Sequence, residues 1–404
     1  MPEIKFQGVA ANEAIKNLRS KVRIPTRRFD EILGEAHAKG FTVAGAIKAE
    51  LLKDLHDDIT AALEKGESLG QFRKRFAETV QRHGWSHKGS ASWRTRVIYE
   101  TNLRTAHMAG RWKQIEQNKQ RRPYLIYMTV GDERVREDHR RWHAVALPVD
   151  DPFWSSHYPP NGWGCRCYVI TASASQLERM GIKVADSPVI NKTERVNTRT
   201  GEVYGDVPEG IDTGWDYNVG KAWLGSDTAF GERLAQLSTR SIKPDLRNID
   251  TQAMTASWQS WLKQVDAAPH AKGYAHTVGY LDPPLMEALS ANNIIPQSAA
   301  IIVYDNQTNH LQGNHKDESK RIPQDWLLEL PMHLQNYQAV LLHKQTNNIL
   351  IVMPDSINGK KGRAVVEINF KRKGKVLNSL RSLGIMEIYN LRKKEYEVIA
   401  GSLE

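Results

Sequence analysis

Cysteine is nearly absent from this sequence of 404 residues: Cys165 and Cys167 are the two it has. A bridge between residues one position apart would close too tight a ring for disulfide geometry. A disulfide framework is therefore excluded, which leaves two free thiols or a metal pair. No run of about 18 apolar residues occurs, and that excludes a membrane-spanning helix. The start, Met1 to Phe6, lacks an apolar signal core, so folding in a cytoplasm is the expectation. Internal repeats and low-complexity tracts are missing as well. Neither a helix-turn-helix spacing nor a zinc-finger ligand set is found, which argues against a DNA-binding regulator.

Acidic residues are short in one region only. The chain carries a net charge of +10, and the segment before Pro123 holds ten more basic than acidic residues, which is the whole excess. A local surplus of this kind suits a polyanion, through phosphate neutralisation and counterion release, and equally suits a solvated basic helix surface. At this length two or three domains are expected.

Periodicity divides the chain further. From Ile4 to about Gln120 the pattern is helical, with a Gly40 stop and a new start at Thr42. Ile47, Leu51, Leu55 and Ile59 form one apolar stripe that Gly66 closes. Ser68 caps a short helix through Phe76, and a longer helix runs from about Trp93 to Gln117. Its basic residues Arg94, Arg96, Arg104, Arg111 and Lys113 are the candidate nucleic-acid contacts. The period changes at Pro123: Tyr124–Val130 reads as a strand, and Cys167–Ile170 as its return. The expected fold is multidomain. It has a mainly α N-terminal region (1–122), a small irregular α+β central module (123–225), a linker (226–252) with room for one short helix, and a separate α+β C-terminal domain (253–404) with an antiparallel sheet. In that last domain Gln345-Thr346-Asn347-Asn348 and Asn358-Gly359 mark hairpins. A turn is expected at Thr198–Gly201.

The distinctive residues lie between those strands: Asp132-Glu133-Arg134-Val135-Arg136-Glu137-Asp138-His139, then Pro159-Pro160-Asn161-Gly162-Trp163-Gly164-Cys165-Arg166-Cys167. So many prolines, glycines and aromatics make an extended loop whose core must come from Trp142, Phe153, Trp154 and Trp163, and such regions often need a staple. Cys165, Cys167 and His139, with His143 or His157, could ligate zinc, since thiolate and imidazole suit that ion. No other cofactor is indicated. The Cys-x-Cys gap is shorter than usual, and the favoured reading is metal-free: buried thiols, His139 bonded to the loop, and Arg134, Arg136 and Arg166 paired with Asp132, Glu133 and Asp138. A Cys/His protease lacks an orienting third residue.

These elements, in this order, resemble the phage Mu F-like head morphogenesis family. Tyr99-Glu100-Thr101-Asn102-Leu103-Arg104 before them, Gly214-Trp215-Asp216-Tyr217-Asn218 after them and Thr42-Val43-Ala44-Gly45 fit the same family. The resemblance covers roughly residues 30–225 and is more specific than any single motif. It implies a minor head protein in the virion, at the capsid interior or portal vertex, assembled in the host cytoplasm. Its partners would be the portal protein, other head proteins and packaged DNA, with no membrane.

A second resemblance concerns the C-terminal domain. His310-Leu311-Gln312-Gly313-Asn314-His315-Lys316 is similar to the histidine element of the barnase/EndoU/colicin/RelE-like phage nuclease class. It implies metal-independent RNA cleavage, which needs a base, an acid and cations on the phosphate. His315, Lys316, Arg363, Ser379 and Arg381 are the candidates, with Lys320 or Arg321 nearby. RNA would then be a further partner of an injected effector, and an inactive binding fold is the competing outcome.

Overall fold

Ser68 and Gln71 show how locally the helices are written. The Ser68 hydroxyl accepts from the Gln71 backbone and the Gln71 side chain returns a bond to the Ser68 N–H, a capping box that opens the next helix. The computed structural model describes residues 11–198, 201–224, 228–238, 246, 251–271, 273–312, 320–346, 348–357, 359–372 and 374–403. By its internal contacts the chain divides into unit 1, Met1–Leu224, and unit 2, Gly225–Glu404. The architecture is the multidomain α+β one that the patterning predicts.

Unit 1 begins with α1 (Asn12–Arg19), β1 (Val22–Arg23), α2 (Ala36–Lys39) and β2 (Gly40–Phe41), the two short strands pairing in parallel. Then come α3 (Ala49–Lys65), α4 (Leu69–His83) and α5 (Ala91–Asn118). The expected helix start at Thr42 is wrong. The Gly45 N–H donates to the Thr26 carbonyl at 2.8 Å and Gly45 itself takes φ +87°, so 42–48 form turns and Ile47 is exposed. Leu51, Leu52, Leu55, Ile59 and Leu63 do form the buried stripe, and Gly66 ends α3 in the left-handed conformation. α4 runs past the expected Phe76 end to His83, because Phe72, Phe76 and Thr79 keep one face buried.

After α5 the chain forms β3 (Tyr124–Met128), α6 (Glu137–Arg141), β4 (Ala146–Pro148), β5 (Tyr168–Ala172) and α7 (Ala174–Met180). β4, β3 and β5 make an antiparallel sheet in that order. β3 stops two residues short of expectation, since the Thr129 N–H turns to His143 Nδ1 (3.1 Å). β6 (Lys192–Val196) and β7 (Val203–Pro208) form a separate hairpin, and α8 (Val219–Leu224) closes the unit. Arg199 and Thr200, in the expected turn, lie outside the described residues.

α5 serves two cores. Ile98 and Ala106 join the helical cluster of Leu18, Phe41, Leu52, Leu55, Phe72 and Phe76. Met108, Ala109, Trp112 and Ile115 join a second cluster with Leu125, Tyr127, Phe153, Trp154, Tyr158 and Val169. Two glycines set the helix crossings. A Cβ on Gly110 would lie 2.8 Å from the Ala14 backbone nitrogen, and one on Gly220 would lie 2.0 Å from Trp112 Cβ.

Unit 2 contains α9 (Thr228–Ser238), α10 (Thr251–Asp266), β8 (Ala275–Tyr280), α11 (Pro283–Ala291), β9 (Ala300–Tyr304), α12 (Thr308–Gln312), α13 (Gln324–Leu328), α14 (Leu330–Gln335), β10 (Ala339–His343), β11 (Ile349–Ile357), β12 (Lys360–Arg372), β13 (Lys375–Met386), α15 (Ile388–Leu391) and β14 (Tyr396–Gly401). Its seven strands run in the order β14-β10-β11-β12-β13-β9-β8. All neighbours are antiparallel except β13 and β9, which pair in parallel at Asn378–Ile301 and Ser379–Ile302. α9 falls in the stretch expected to be a linker, and its Phe230 and Leu234 are buried. Both expected hairpin pairings form, although Asn347 and Asn358 themselves lie outside the described residues.

Two predictions follow from unit 1. Gly220→Ala should destabilise by about 1–3 kcal/mol through overpacking against Trp112. Gly70→Ala, in the open first turn of α4, should be neutral or stabilise by up to about 1 kcal/mol; urea unfolding of the two variants tests the contrast. Second, His56 is buried with Nε2 2.7 Å from the Leu18 carbonyl and its ring stacked on Phe41, and burial lowers its pKa to about 4. The unfolded chain, with an ordinary histidine, takes up the proton first. Stability should therefore be full above about pH 6.5 and fall towards pH 4, by about 3 kcal/mol for this group. His56→Gln should flatten that part of the slope in unfolding midpoints measured against pH.

Candidate functional site

The chain between β3 and β5 has little ladder bonding of its own, so side chains must hold it. Arg136, at the N-terminal edge of α6, forms a two-pronged ion pair with Asp212 at 2.8 and 2.9 Å. Arg136 also donates to the Trp163 carbonyl (3.0 Å), while Asp212 accepts from the Trp163 N–H (2.8 Å). The fork ties the start of the loop, its end and the segment after β7 into one knot. Gly162 lies under it: a Cβ there would meet both the Arg136 guanidinium and the Asp212 carboxylate. The expected pairing of Arg136 within its own motif is thus replaced by a partner 76 residues downstream. Arg166 does pair with Asp132, at 2.5 and 2.6 Å. Arg134 bonds Asp132 through its backbone N–H only, and Asp138 faces Arg141.

Inside this knot lie His139, Cys165 and Cys167, all buried. His139 Nδ1 is 3.7 Å from Cys165 Sγ and 3.5 Å from Cys167 Sγ. Its Nε2 is 2.9 Å from the Gly210 carbonyl, and its ring stacks on Trp142 at 5.1 Å. Gly210 takes φ +77°, and a Cβ there would strike Asp138 and Trp142. Arg166 points away to Asp132, so the two sulfurs share one face, as alternate residues of an extended chain must. The Cys165 carbonyl accepts from Arg104 of α5 (3.0 Å). The fully buried Tyr127 donates its hydroxyl to Asn161 Oδ1 (3.0 Å). The hydrogen bond with Cys167 draws the Cys165 thiol well below its ordinary pKa against the cost of burial, with His139 helping, and the same bond pushes Cys167 up.

His143 and His157 are not part of the cluster. His143 Nδ1 takes the Thr129 N–H and hydroxyl, and His157 bonds Ser156 and stacks on Phe153 at 4.2 Å. Gly210, Asp212, Tyr127 and Asn161 went unassigned in the sequence. Asn161 stands in the Pro159–Cys167 run and Tyr127 in the expected strand Tyr124–Val130, whereas nothing local marks Gly210 or Asp212.

The basic residues of α5 have internal work. Arg104 also faces Glu100 (3.4 Å), Arg111 donates to the Val169 carbonyl (2.9 Å), and Lys113 bonds Glu13 (2.8 Å) beside the Trp223 ring. Arg94 lies against Trp85 and Trp93, and Arg96 is exposed. In unit 2, His315 and Lys316 lie outside the described residues. Ser379 is fully buried on β13 and shares a hydrogen bond with Gln307. Arg381 pairs with Glu367 across the Phe370 ring. Arg363 lies opposite Gly384, well along β13 from Ser379, and burial lowers its pKa. Ser379 lies opposite Glu367, the ion-pair partner of Arg381, while Arg363 is placed further along at Gly384. Lys320 is exposed.

The family model described as Phage Mu protein F like protein matches residues 53–170, from α3 to β5. The chain carries a Mu F-like domain. The capsid assembly protein F of Escherichia phage Mu is 28% identical over 371 residues, covering 84% of this chain and 83% of that protein. The Mu-like prophage FluMu F protein of Haemophilus influenzae is 33% identical over 236 residues, covering 53% of this chain and 57% of that protein. A match to 84% of 404 residues exceeds the 224 of unit 1, so the likeness to the phage Mu protein runs on into unit 2. No solved structure matches. Of the elements described, α6, the Arg136 end of the fork and all three residues of the His139 cluster fall inside the Mu F-like domain, whereas Gly210 and Asp212 fall beyond its matched range.

If the fork shapes the loop, Gly162→Ala should cost about 1–3 kcal/mol by displacing it. In an Asp212→Ala background, where the fork is already broken, the same change should cost distinctly less. Equal costs in the two backgrounds, from denaturant unfolding of the four proteins, would show that Gly162 is needed for another reason.

Proposed function

We propose that this chain is a structural component of phage head assembly, acting beside the portal and close to packaged DNA. The observation that carries the reading is the extent of the likeness to the phage Mu capsid assembly protein, which takes in the domain core and part of unit 2. The site chemistry agrees with a structural role. Its arginines and its histidine bind backbone carbonyls and carboxylates inside the protein, and the cluster they surround is buried. Among the described residues no helix is long and apolar enough to cross a membrane.

Proximity to DNA is supported by the basic surplus of the first 122 residues, of which Arg96 alone among the α5 candidates is exposed. Lys74, Lys88 and Arg96 are exposed, while Arg104, Arg111 and Lys113 hold the fold together. The likeness to a nuclease class draws no support from the described part of unit 2.

In a phage carrying this gene, removing it should leave head assembly defective, and complementation should restore it, with the protein recovered in purified heads. Normal infectious particles formed without the protein would end this reading. For the DNA contact, the full chain should bind duplex DNA with an affinity that falls steeply with salt. A Lys74→Glu, Lys88→Glu, Arg96→Glu variant should bind more weakly and with a shallower salt slope. Binding that ignores salt would remove DNA from the proposal and leave the assembly role to the first test.

A further inference from the structure

We propose that His139 Nδ1, Cys165 Sγ and Cys167 Sγ hold one zinc ion, which fixes the β3–β5 loop from within. The site is independent of whether the protein touches DNA or portal.

The distances argue for it first. Zinc bonds of about 2.3 Å to sulfur and about 2.0–2.1 Å to nitrogen, at tetrahedral angles, separate a nitrogen from a sulfur ligand by about 3.6 Å. The two Nδ1–sulfur distances are 3.7 and 3.5 Å, and all three ligand atoms lie within 4.8 Å of one another.

The histidine is also set for the task. The Gly210 carbonyl accepts from Nε2 at 2.9 Å, which places the ring proton there and leaves the Nδ1 lone pair facing the sulfurs. A backbone carbonyl behind the imidazole is the usual outer partner of a metal-bound histidine, fixing both tautomer and ring angle.

Charge and burial point the same way. Two thiolates, a neutral imidazole and a divalent zinc sum to zero, so the group can sit in the core without an uncompensated charge. Mixed sulfur and nitrogen ligation suits zinc among the common ions. The three ligands are all buried, and the fully buried Tyr127 belongs to the same core. Three protein ligands leave a tetrahedral ion a fourth position, which a water molecule would fill in this buried site. The Cys-x-Cys spacing, shorter than that of zinc fingers, is workable because Arg166 between the two faces outward to Asp132.

The test uses the full chain, purified reduced and without chelator. Elemental analysis should find about one zinc per chain. His139→Asn and the double variant Cys165→Ser, Cys167→Ser should each lose it, whereas His143→Asn and His157→Gln should keep it. Because the ligand variants could fail to fold, the wild-type protein provides a second readout. After native stripping with chelator, added cobalt should give thiolate-to-metal absorption that one equivalent of zinc abolishes, and zinc should raise the unfolding midpoint. Folded, reduced wild-type protein that takes up neither metal would overturn the proposal. So would full zinc content in a folded double cysteine variant, since the ion would then lie elsewhere.

Discussion

One helix surface has to satisfy two cores at once, and most of unit 1 follows from that constraint. The stretch of α5 up to Ala106 offers Ile98 and Ala106 to the helical cluster, and the stretch from Met108 onward offers Met108, Trp112 and Ile115 to the sheet cluster. A helix packed on both sides has little room left for solvent, which is why its apolar stripe looks blurred in sequence. Gly110 and Gly220 then allow α1 and α8 to approach the helix more closely than any side chain would permit. Its basic residues take their roles from the same crowding. Arg104 and Arg111 reach past the apolar faces to carbonyls at Cys165 and Val169, giving the incoming chain hydrogen bonds that a sheet partner would otherwise supply.

The irregular loop depends on that support and on the Arg136–Asp212 fork. A loop of this length with few ladder bonds holds a single shape only if charged or polar side chains over-determine it. Here the fork, the His139–Gly210 bond and the Tyr127–Asn161 bond converge from three parts of the chain on a small volume. The cluster of thiols and imidazole lies where these ties meet.

What could be read from the sequence was mostly what neighbours along the chain decide. The cap at Ser68, the stop at Gly66 and a return strand, expected at Cys167–Ile170 and formed at Tyr168–Ala172, depend on a few adjacent residues and are visible as pattern. The same holds for His139, Cys165 and Cys167, picked out as residue types. Long-range pairings were not legible. Asp212 has no local mark distinguishing it from a surface carboxylate, β8 interrupts its apolar residues with His276, Thr277 and Gly279, and the parallel pairing of β13 with β9 joins segments with no shared turn. Charge on α5 misled for a related reason. A count of arginines does not distinguish a guanidinium facing solvent from one aimed at a carbonyl across the core.

The uninterrupted run of α5 has a consequence for where unit 1 can be divided. At 28 residues the helix spans about 42 Å with no kink residue between its two halves. The change of pattern at Pro123, which looks like a border in the sequence, is a seam that only the complete unit closes. A fragment ending there would carry Trp112 and Ile115 bare to water, and one beginning there would lack the wall against which Tyr158 packs. The helical and sheet halves of unit 1 thus share α5 as a common wall, and loosening either half exposes residues of the other.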